Sequence, residues 1–300
     1  MISDRPDCVP HFLGIGVVRG GTTWLWKQLG QHPDVWMTPV KELNYFTRRH
    51  PIMVAAATGD APQAEGQPNL FVESLKRFTP AKIAHYLRTY SPRSALWRLR
   101  FYRGDLGPEW YRSLFDAAGG RLTGDVTPHY SGLGEEGVRE IAATLPDVRI
   151  VLILRDPVDR DWSHAVHYLT TSLGRERDDL TTDDILGHVH DPSARSRGDY
   201  VPMLERWRRH IPADRFKVVF FEDIHTRPVE LIHEIQAFLG LAPHTPPGLT
   251  AKVNASGAKP MPAEIERHLV ELHLPALEVL AEDLGGHAAM WRDRARDILS

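Results

Sequence analysis

Apolar runs of strand length alternate along this chain with segments in which apolar residues recur at helical spacing. This alternation is typical of β-α-β units, in which helices join the parallel strands of one sheet. Apolar runs predict strands at residues 12–17, 35–37, 122–126, 149–154 and 216–221. Helical spacing predicts helices at residues 23–31, 110–117, 134–144, 158–170, 200–210, 228–239 and 263–284. The pattern therefore predicts an α/β fold with a central, mainly parallel five-stranded sheet and flanking helices.

The fourth predicted strand ends at a clear helix start. In the sequence Arg-Asp-Pro at positions 155–157, Asp156 can cap a helix. Pro157 can occupy the first helical position, where its missing N–H costs nothing. A strand, a turn and a helix are therefore expected to meet at Arg155.

Residues 48–108 interrupt the alternation, so we predict one domain over residues 1–300 with an insertion in this region. Residues 51–70 are rich in Ala, Pro, Gly and Gln, as in a loop. Residues 76–103, the basic segment, hold eight Lys or Arg and no acid, interleaved with aromatic side chains. The basic segment fits either a helical lid that packs its aromatics on the body or a surface that steers an anionic acceptor or RNA.

Composition narrows the class of protein. The 300 residues are 42% hydrophobic and 25% charged, as in ordinary globular proteins. A formal net charge of -3 argues against wholesale binding to nucleic acid, and the single cysteine excludes an internal disulfide. The acidic, proline-containing start lacks the apolar run of an export signal, and no apolar block is long enough to cross a membrane. We therefore expect a cytoplasmic protein with no membrane insertion.

A glycine-bearing turn follows the first predicted strand, in the sequence HFLGIGVVRGGTTWLWKQL at positions 11–29. Glycines let backbone N–H groups approach an anion closely, and a helix N-terminus adds unpaired donors and a positive dipole end. Thr22 and Thr23 offer hydroxyl donors, and Arg19 offers a charge. The turn lacks the Gly-Lys-Ser/Thr of nucleoside triphosphatases, which makes magnesium triphosphate a poor ligand. By itself the turn supports an anion site, and a small-molecule kinase remains an alternative.

The heptapeptide RGGTTWL at positions 19–25 closely resembles the 5'-phosphosulfate loop of PAPS-dependent sulfotransferases, usually written K-x-G-T-T-x-L. The resemblance implies a P-loop-like, three-layer fold, 3'-phosphoadenosine 5'-phosphosulfate (PAPS) as sulfuryl donor and PAP as product, without a metal. The residues that it places on the donor are Arg19, Gly20, Gly21, Thr22, Thr23 and Trp24. Most members carry lysine where this chain has Arg19. An arginine retains the charge but has fork geometry and does not lose its proton.

A second apolar strand ends in an arginine in RIVLILRDPVDRDWSHAVHY, at positions 149–168. Taken alone, Arg155 could be a surface partner of Asp156 or Asp159. The spacing matches the family pattern R-D-P-x-x-R-x-x-S, which implies that Arg155 and Ser163 bind the 3'-phosphate. The carboxyl ends of parallel strands share one edge, where ligands bind open α/β sheets. Two separate anion sites at that edge would suit a nucleotide with phosphates at its 3' and 5' positions.

A general base for the acceptor hydroxyl is expected near Arg19. PVKELNYF, at positions 39–46, places Lys41 and Glu42 just after the second strand, where a solvated ion pair is the alternative interpretation. The segment resembles the K-E-x-x-[FY]-F motif of carbohydrate-type, heparan-like and related bacterial sulfotransferases. This resemblance implies that Glu42 is the catalytic base and that Lys41 assists the transferred sulfonate.

His129, in GDVTPHYSGL at positions 124–133, is the rival base, since the pKa of histidine lies near neutrality. This segment resembles a family motif at the end of the third strand, but Val126 stands where many members carry lysine. Near the carboxyl terminus, KVNASGAKPMPAEI resembles a loop that many members fold over the 3'-phosphate. Asn254 and Lys259 are the candidates there, Lys252 competes with them, and a mobile surface loop is the alternative.

Together these motifs predict an enzyme that transfers a sulfuryl group from PAPS to the hydroxyl of a carbohydrate, natural product, lipid or phenol. The expected partner is a small-molecule or saccharide acceptor, with an anionic one among the alternatives and no nucleic acid. A nucleotide-dependent small-molecule kinase and a non-catalytic nucleotide-binding or RNA-binding module are the other hypotheses. The oligomeric state is left open.

Overall fold

The computed structural model describes residues 9–50, 89–104, 107–249 and 260–300. Its centre is a five-stranded sheet in the order β2-β3-β1-β4-β5. Every neighbouring pair of strands is parallel. The strands are β1 (Phe12–Gly14), β2 (Val35–Met37), β3 (Leu122–Val126), β4 (Arg149–Leu154) and β5 (Phe216–Phe220). The predicted parallel sheet is therefore confirmed.

Helices of the described ranges cover both faces of the sheet and are numbered here in chain order. They are α1 (Thr22–Leu29), α2 (Tyr45–Arg49), α3 (Pro92–Arg103), α4 (Pro108–Ser113), α5 (Glu135–Thr144), α6 (Pro157–His167), α7 (Thr182–His190), α8 (Pro192–Ser196), α9 (Tyr200–His210), α10 (Asp223–Thr226), α11 (Pro228–Leu239), α12 (Ala263–Leu284) and α13 (Gly286–Leu299).

Strand β4 shows why the structure has three layers. All its side chains from Ile150 onward are buried, as in a strand covered on both faces. Successive side chains point to opposite faces, so Ile150 and Leu152 join one hydrophobic cluster and Val151 and Ile153 join the other. The first cluster includes side chains of α5, α6, α9 and α12, and the second includes side chains of α1 and α11.

Several predicted boundaries are wrong by a few residues. The first strand was predicted to reach residue 17 but ends at Gly14, because only one side of the extended run stays paired. The N–H groups of Ile15 and Val17 still bond to β4 carbonyls, at 3.0 and 3.1 Å. The helix predicted at 158–170 is α6 followed by a π-helical turn over Tyr168–Ser172. The helix predicted at 110–117 is α4 followed by a short 3-10 turn over Asp116–Ala118.

The described part of the basic segment forms α3 and packs on the body. Trp97 and Phe101 are buried, and the Trp97 indole N–H donates to the Leu114 carbonyl at 2.7 Å. Arg98 donates to the Pro39 carbonyl at 3.0 Å, just before the Lys41–Glu42 pair. This helix therefore fits the packed interpretation of the segment, while residues 51–88 lie outside the described residues. The single domain with its insertion stays a prediction.

None of the helices in the ranges that the structure describes is long and apolar enough to cross a membrane.

Candidate active site

The turn between β1 and α1 is tight and left-handed at two positions. Arg19 has φ 69° and Gly21 has φ 91°, and the Gly20 N–H donates to the Val17 carbonyl at 2.8 Å. A Cβ at Gly20 would lie 2.8 Å from that carbonyl oxygen and 3.0 Å from the Ile153 carbonyl oxygen. Only glycine fits there without displacing backbone. The turn thereby brings the first amides of α1 to the carboxyl edge of the sheet, with the positive end of the helix dipole behind them.

Arg19 and Arg155 lie next to each other above this edge. The Arg19 Nε donates to the Ser163 Oγ at 3.1 Å, and the Arg155 Nη1 donates to the Arg19 carbonyl at 3.2 Å. The Arg155 guanidinium also lies over the Phe221 ring, 4.6 Å from its centroid. Burial lowers the pKa of Arg19, and the positive charge of Arg155 lowers it further. The two adjacent positive charges repel each other, and an anion bound between them would reduce this repulsion.

The predicted junction after β4 has the expected cap. The Asp156 side chain accepts from the Val158 N–H at 2.9 Å, and Pro157 begins α6. Burial, followed by the negative charge of Asp159, raises the pKa of Asp156 to about 6, although Arg294 donates to its other oxygen at 3.0 Å. This cap holds the start of the helix that carries Ser163, two turns further on.

The remaining predicted residues of the turn differ in their position. Thr22 is buried at the start of α1, and Thr23 is exposed beside it. Trp24 packs in the hydrophobic cluster with Phe12 and Leu25, and its backbone N–H bonds to the Gly21 carbonyl. The structure therefore brings Thr22 and Thr23 to the turn but directs the Trp24 indole into the core, away from it.

Glu42 is held in an unusual backbone conformation beside the end of β3. Its φ is 65°, and its N–H donates to the Val126 carbonyl at 3.2 Å. The Lys41 Nζ lies 2.5 Å from the Glu42 Oε1, with about a third of the Glu42 side chain exposed. Val126 pairs with Gly14 of β1, so Glu42 lies one strand away from the strand that leads into the anion turn. A partly exposed carboxylate at this edge of the sheet has the chemistry to accept a proton.

His129 lies next to Glu42, so the two rival bases share one place. The His129 Nδ1 is 4.0 Å from the Glu42 Oε2. Burial lowers the pKa of His129; the Glu42 charge raises it, and the charges of Arg197 and Lys41 lower it again. The net effect keeps the imidazole neutral at pH 7, where it can accept a proton.

Two features of the site escaped the sequence patterns. Arg197, after α8, is close enough to lower the pKa of His129, but its distance along the chain from every motif gave no signal. Asp125, inside β3, is fully buried beside the Glu42 segment. A carboxylate within a buried strand was the sequence signal that could have identified Asp125. Asn254, Lys252 and Lys259 lie outside the described residues.

Within the described residues, no cluster of three or more His, Cys, Asp or Glu side chains has the arrangement of a metal site.

A family model described as "Sulfotransferase family" matches residues 10–246. Human heparan sulfate glucosamine 3-O-sulfotransferase 6 is 33% identical over 138 residues, which cover 45% of this chain and 40% of that protein. Mouse carbohydrate sulfotransferase 15 is 22% identical over 330 residues, covering 96% of this chain and 55% of that protein. The chain thus spans about half or less of the length of these curated relatives.

The fold also resembles solved structures. A sulfotransferase from Alicyclobacillus acidocaldarius superposes with a TM-score of 0.62 at 22% identity, covering 94% of this chain and 98% of that chain. The sulfotransferase domain from the curacin biosynthetic pathway superposes with a TM-score of 0.51 at 12% identity, covering 85% of this chain and 82% of that one. At these identities the likeness concerns the fold.

Proposed function

Because this chain belongs to the sulfotransferase family, we propose that it transfers a sulfuryl group from PAPS to a hydroxyl group of a saccharide. The observation that carries the donor side of this proposal is the contact between two anion-binding arms. Arg19, after β1, donates to Ser163 of α6, and Arg155, after β4, donates to the Arg19 carbonyl. A nucleotide with phosphates on both its 3' and 5' positions has the two anionic groups that such a pair of arms would bind.

The 5'-phosphosulfate would lie in the turn. Arg19 supplies charge, Gly20 and Gly21 allow close approach of backbone N–H groups, and Thr22 and Thr23 begin the helix. Arg155 and Ser163 would hold the 3'-phosphate, with Asn254 and Lys259 as further predicted contacts. These residues position the donor for in-line transfer and stabilise the charge that develops on the leaving phosphate.

The acceptor side uses the Glu42 carboxylate. Glu42 takes the proton of the acceptor hydroxyl as the hydroxyl oxygen attacks sulfur. The bond between sulfur and the bridging phosphate oxygen breaks, and PAP is released. Lys41, 2.5 Å from the Glu42 Oε1, holds the carboxylate and can also face the transferred sulfonate. His129 is close enough to support or replace Glu42, since their side chains are 4.0 Å apart.

A saccharide is the acceptor class that the relatives favour, because matched proteins are named for heparan sulfate glucosamine and for carbohydrate. The test begins with calorimetric titration of the protein with PAP and with magnesium ATP. Labelled PAPS is then supplied with a panel of sugars, phenols, lipids and natural-product alcohols, and labelled products are identified by mass spectrometry. We expect magnesium-independent binding of PAP and a labelled saccharide. ATP binding that requires magnesium, with no response to PAP, would sink the proposal.

A further inference from the structure

Asp125 carries a buried carboxylate for which the proposed chemistry has no direct use. It lies in β3 and is 0% exposed. Three hydroxyl groups donate to it, from Thr127 at 2.7 Å, Tyr130 at 2.7 Å and Tyr111 at 3.1 Å. Burial raises the pKa of Asp125, and these hydroxyl bonds oppose the rise. Since burying a carboxylate is costly even when it is hydrogen-bonded, the arrangement calls for a role.

The neighbours of Asp125 hold the backbone that carries Glu42. Four consecutive backbone N–H groups, from residue 42 to residue 45, face the end of β3 and the turn that follows it. The Glu42 N–H donates to the Val126 carbonyl at 3.2 Å, and the Leu43 N–H donates to the Asp125 carboxylate and lowers its pKa. The Asn44 N–H donates to the Thr127 Oγ1 at a long 3.5 Å, and the Tyr45 N–H donates to the Tyr130 hydroxyl at 2.9 Å. The Tyr130 hydroxyl therefore donates to Asp125 and accepts from the Glu42 segment.

The backbone conformations of Glu42 and Asn44 are unfavourable for residues that have a Cβ. Glu42 has φ 65° and Asn44 has φ 55°, both in the left-handed region. In that region the Cβ of a side chain lies too close to the following carbonyl oxygen, although asparagine tolerates the conformation better than glutamate. The hydrogen bonds from the end of β3 offset this cost. Because the backbone at Glu42 sets the direction of its side chain, these bonds also set where the carboxylate lies.

We propose that Asp125 is a positioning residue, which acts through Tyr130 and Leu43 to keep the Glu42 carboxylate beside Lys41. Asp125 is buried and contacts neither substrate. It orients the Tyr130 hydroxyl, which accepts a hydrogen bond from the Tyr45 N–H, three residues after Glu42. The proposal rests on the function above, in which Glu42 accepts the acceptor proton.

The test compares two tyrosine variants that each remove one hydroxyl from Asp125. Tyr130→Phe also frees the Tyr45 N–H, whereas Tyr111→Phe removes none of the hydrogen bonds of residues 42–45, keeps the ring that stacks on Tyr45, and is the matched control. A misplacement of a reacting group by about 1 Å can cost about 100-fold in rate. We therefore expect Tyr130→Phe to lower kcat about 10- to 100-fold, with the KM for PAPS and the Kd for PAP within about twofold. Tyr111→Phe should lower thermal stability similarly but kcat much less.

A double-mutant cycle separates positioning from general stability. If Tyr130 acts through Glu42, then Tyr130→Phe causes no further loss of kcat when Glu42→Gln is already present. An equal loss in both backgrounds would overturn the proposal, as would a Tyr130→Phe protein with a lower melting temperature and wild-type kcat. Should Tyr130→Phe fail to fold, Thr127→Val removes another hydroxyl from Asp125 at nearly constant volume and takes its place in the same cycle.

The same measurements show which proposal has failed. Wild-type protein that binds PAP and transfers sulfonate, with Tyr130→Phe equal to it in kcat, would overturn the positioning role alone. Glu42→Gln protein with full turnover would overturn both the base and its positioning. Wild-type protein without PAP binding would overturn the proposed function and, with it, this inference.

Discussion

The Nε of Arg19 donates a hydrogen bond to the Oγ of Ser163 at 3.1 Å, although 144 residues separate them along the chain. The contact exists because β1 and β4 are parallel neighbours, with Gly14 paired to Val151, so the segments that follow both strands meet at one edge. The two proposed phosphate arms are thereby linked directly. A change in one arm should affect the binding of both phosphates.

Replacing Arg19 should weaken PAP binding slightly with lysine and more strongly with alanine. Arg19→Lys keeps a charge but removes the Nε donor to Ser163, so we expect about a 3- to 10-fold higher Kd, the usual range for the loss of one hydrogen bond. Arg19→Ala removes charge and donor together and should raise the Kd about 10- to 100-fold. Calorimetric titration with PAP measures both values. Lys27→Ala, at an exposed position of α1, is the control for loss of a nearby charge. Wild-type affinity in Arg19→Ala would contradict the role.

Glu42→Gln should separate chemistry from binding. The amide keeps the size of the side chain but does not take a proton, so we expect kcat to fall about 10²- to 10⁴-fold. The Kd for PAP should stay within about twofold, because Glu42 belongs to the acceptor side. Turnover of labelled PAPS and calorimetry test the two halves. Glu109→Gln, on the surface of α4, is the matched control, and a Glu42→Gln protein with wild-type turnover would eliminate this base.

His129 predicts a pH effect with a definite sign. Burial lowers its pKa below the ordinary 6.5, so the imidazole is neutral at pH 7 and gains its proton only on the acid side of 6.5. Once protonated, it competes for the Glu42 carboxylate as an ion-pair partner, and the rate should fall. In His129→Asn this competitor is gone, so the ratio of kcat at pH 5.5 to kcat at pH 7.5 should rise above the wild-type ratio. Profiles from pH 5 to 8 measure it; unchanged ratios would speak against the contact.

Asp156 predicts a pH dependence of stability rather than of rate. Its pKa is about 6 in the folded protein, against an ordinary value of 3.8. Between these values the folded protein holds a proton that the unfolded chain has lost, so this group favours folding fully below pH 3.8 and loses that contribution as the pH rises through about 6.

The comparison with Asp156→Asn isolates this contribution. The free energy of unfolding of the wild type, relative to the variant, should drop by on the order of 2–3 kcal/mol from pH 4 to pH 7. Asn can still cap α6, so the helix start is retained. Urea unfolding at several pH values gives the difference. A difference that does not vary with pH, or that varies in the opposite sense, would show that Asp156 is not the group responsible.

The strands and their parallel type were predictable because strand-length segments alternate with helical ones, and the clearest of them, β4, is apolar from Ile150 onward and buried on both faces. Helix α7 was missed because its sequence is polar on most positions, yet its reciprocal cap between Thr181 and Asp184 was readable. Helix α13 was missed because Gly285 marked the end of α12, and a new helix begins directly after it.

The meeting of Arg19 and Arg155 was predictable, because both residues follow strands directly. Arg19 and Arg155 each stand just after an apolar run, and parallel topology brings such positions to one edge. The support of Glu42 was not predictable. It depends on left-handed backbone at Glu42 and Asn44, which glutamate gives no reason to expect, and on a tyrosine 85 residues beyond Tyr45. Long-range contacts of this kind become visible only in three dimensions.

The left-handed backbone at Glu42 means that catalytic activity and stability favour different residues at this position. Glycine has no Cβ to clash at φ 65°, so a protein designed only for resistance to unfolding would have little reason to place glutamate there. Glu42→Gly would relieve strain and remove the proposed base in the same step. Selection for turnover would therefore favour glutamate at position 42, and selection for heat tolerance would favour glycine. In a chain that had lost its activity, we expect position 42 to be among the first to change to glycine.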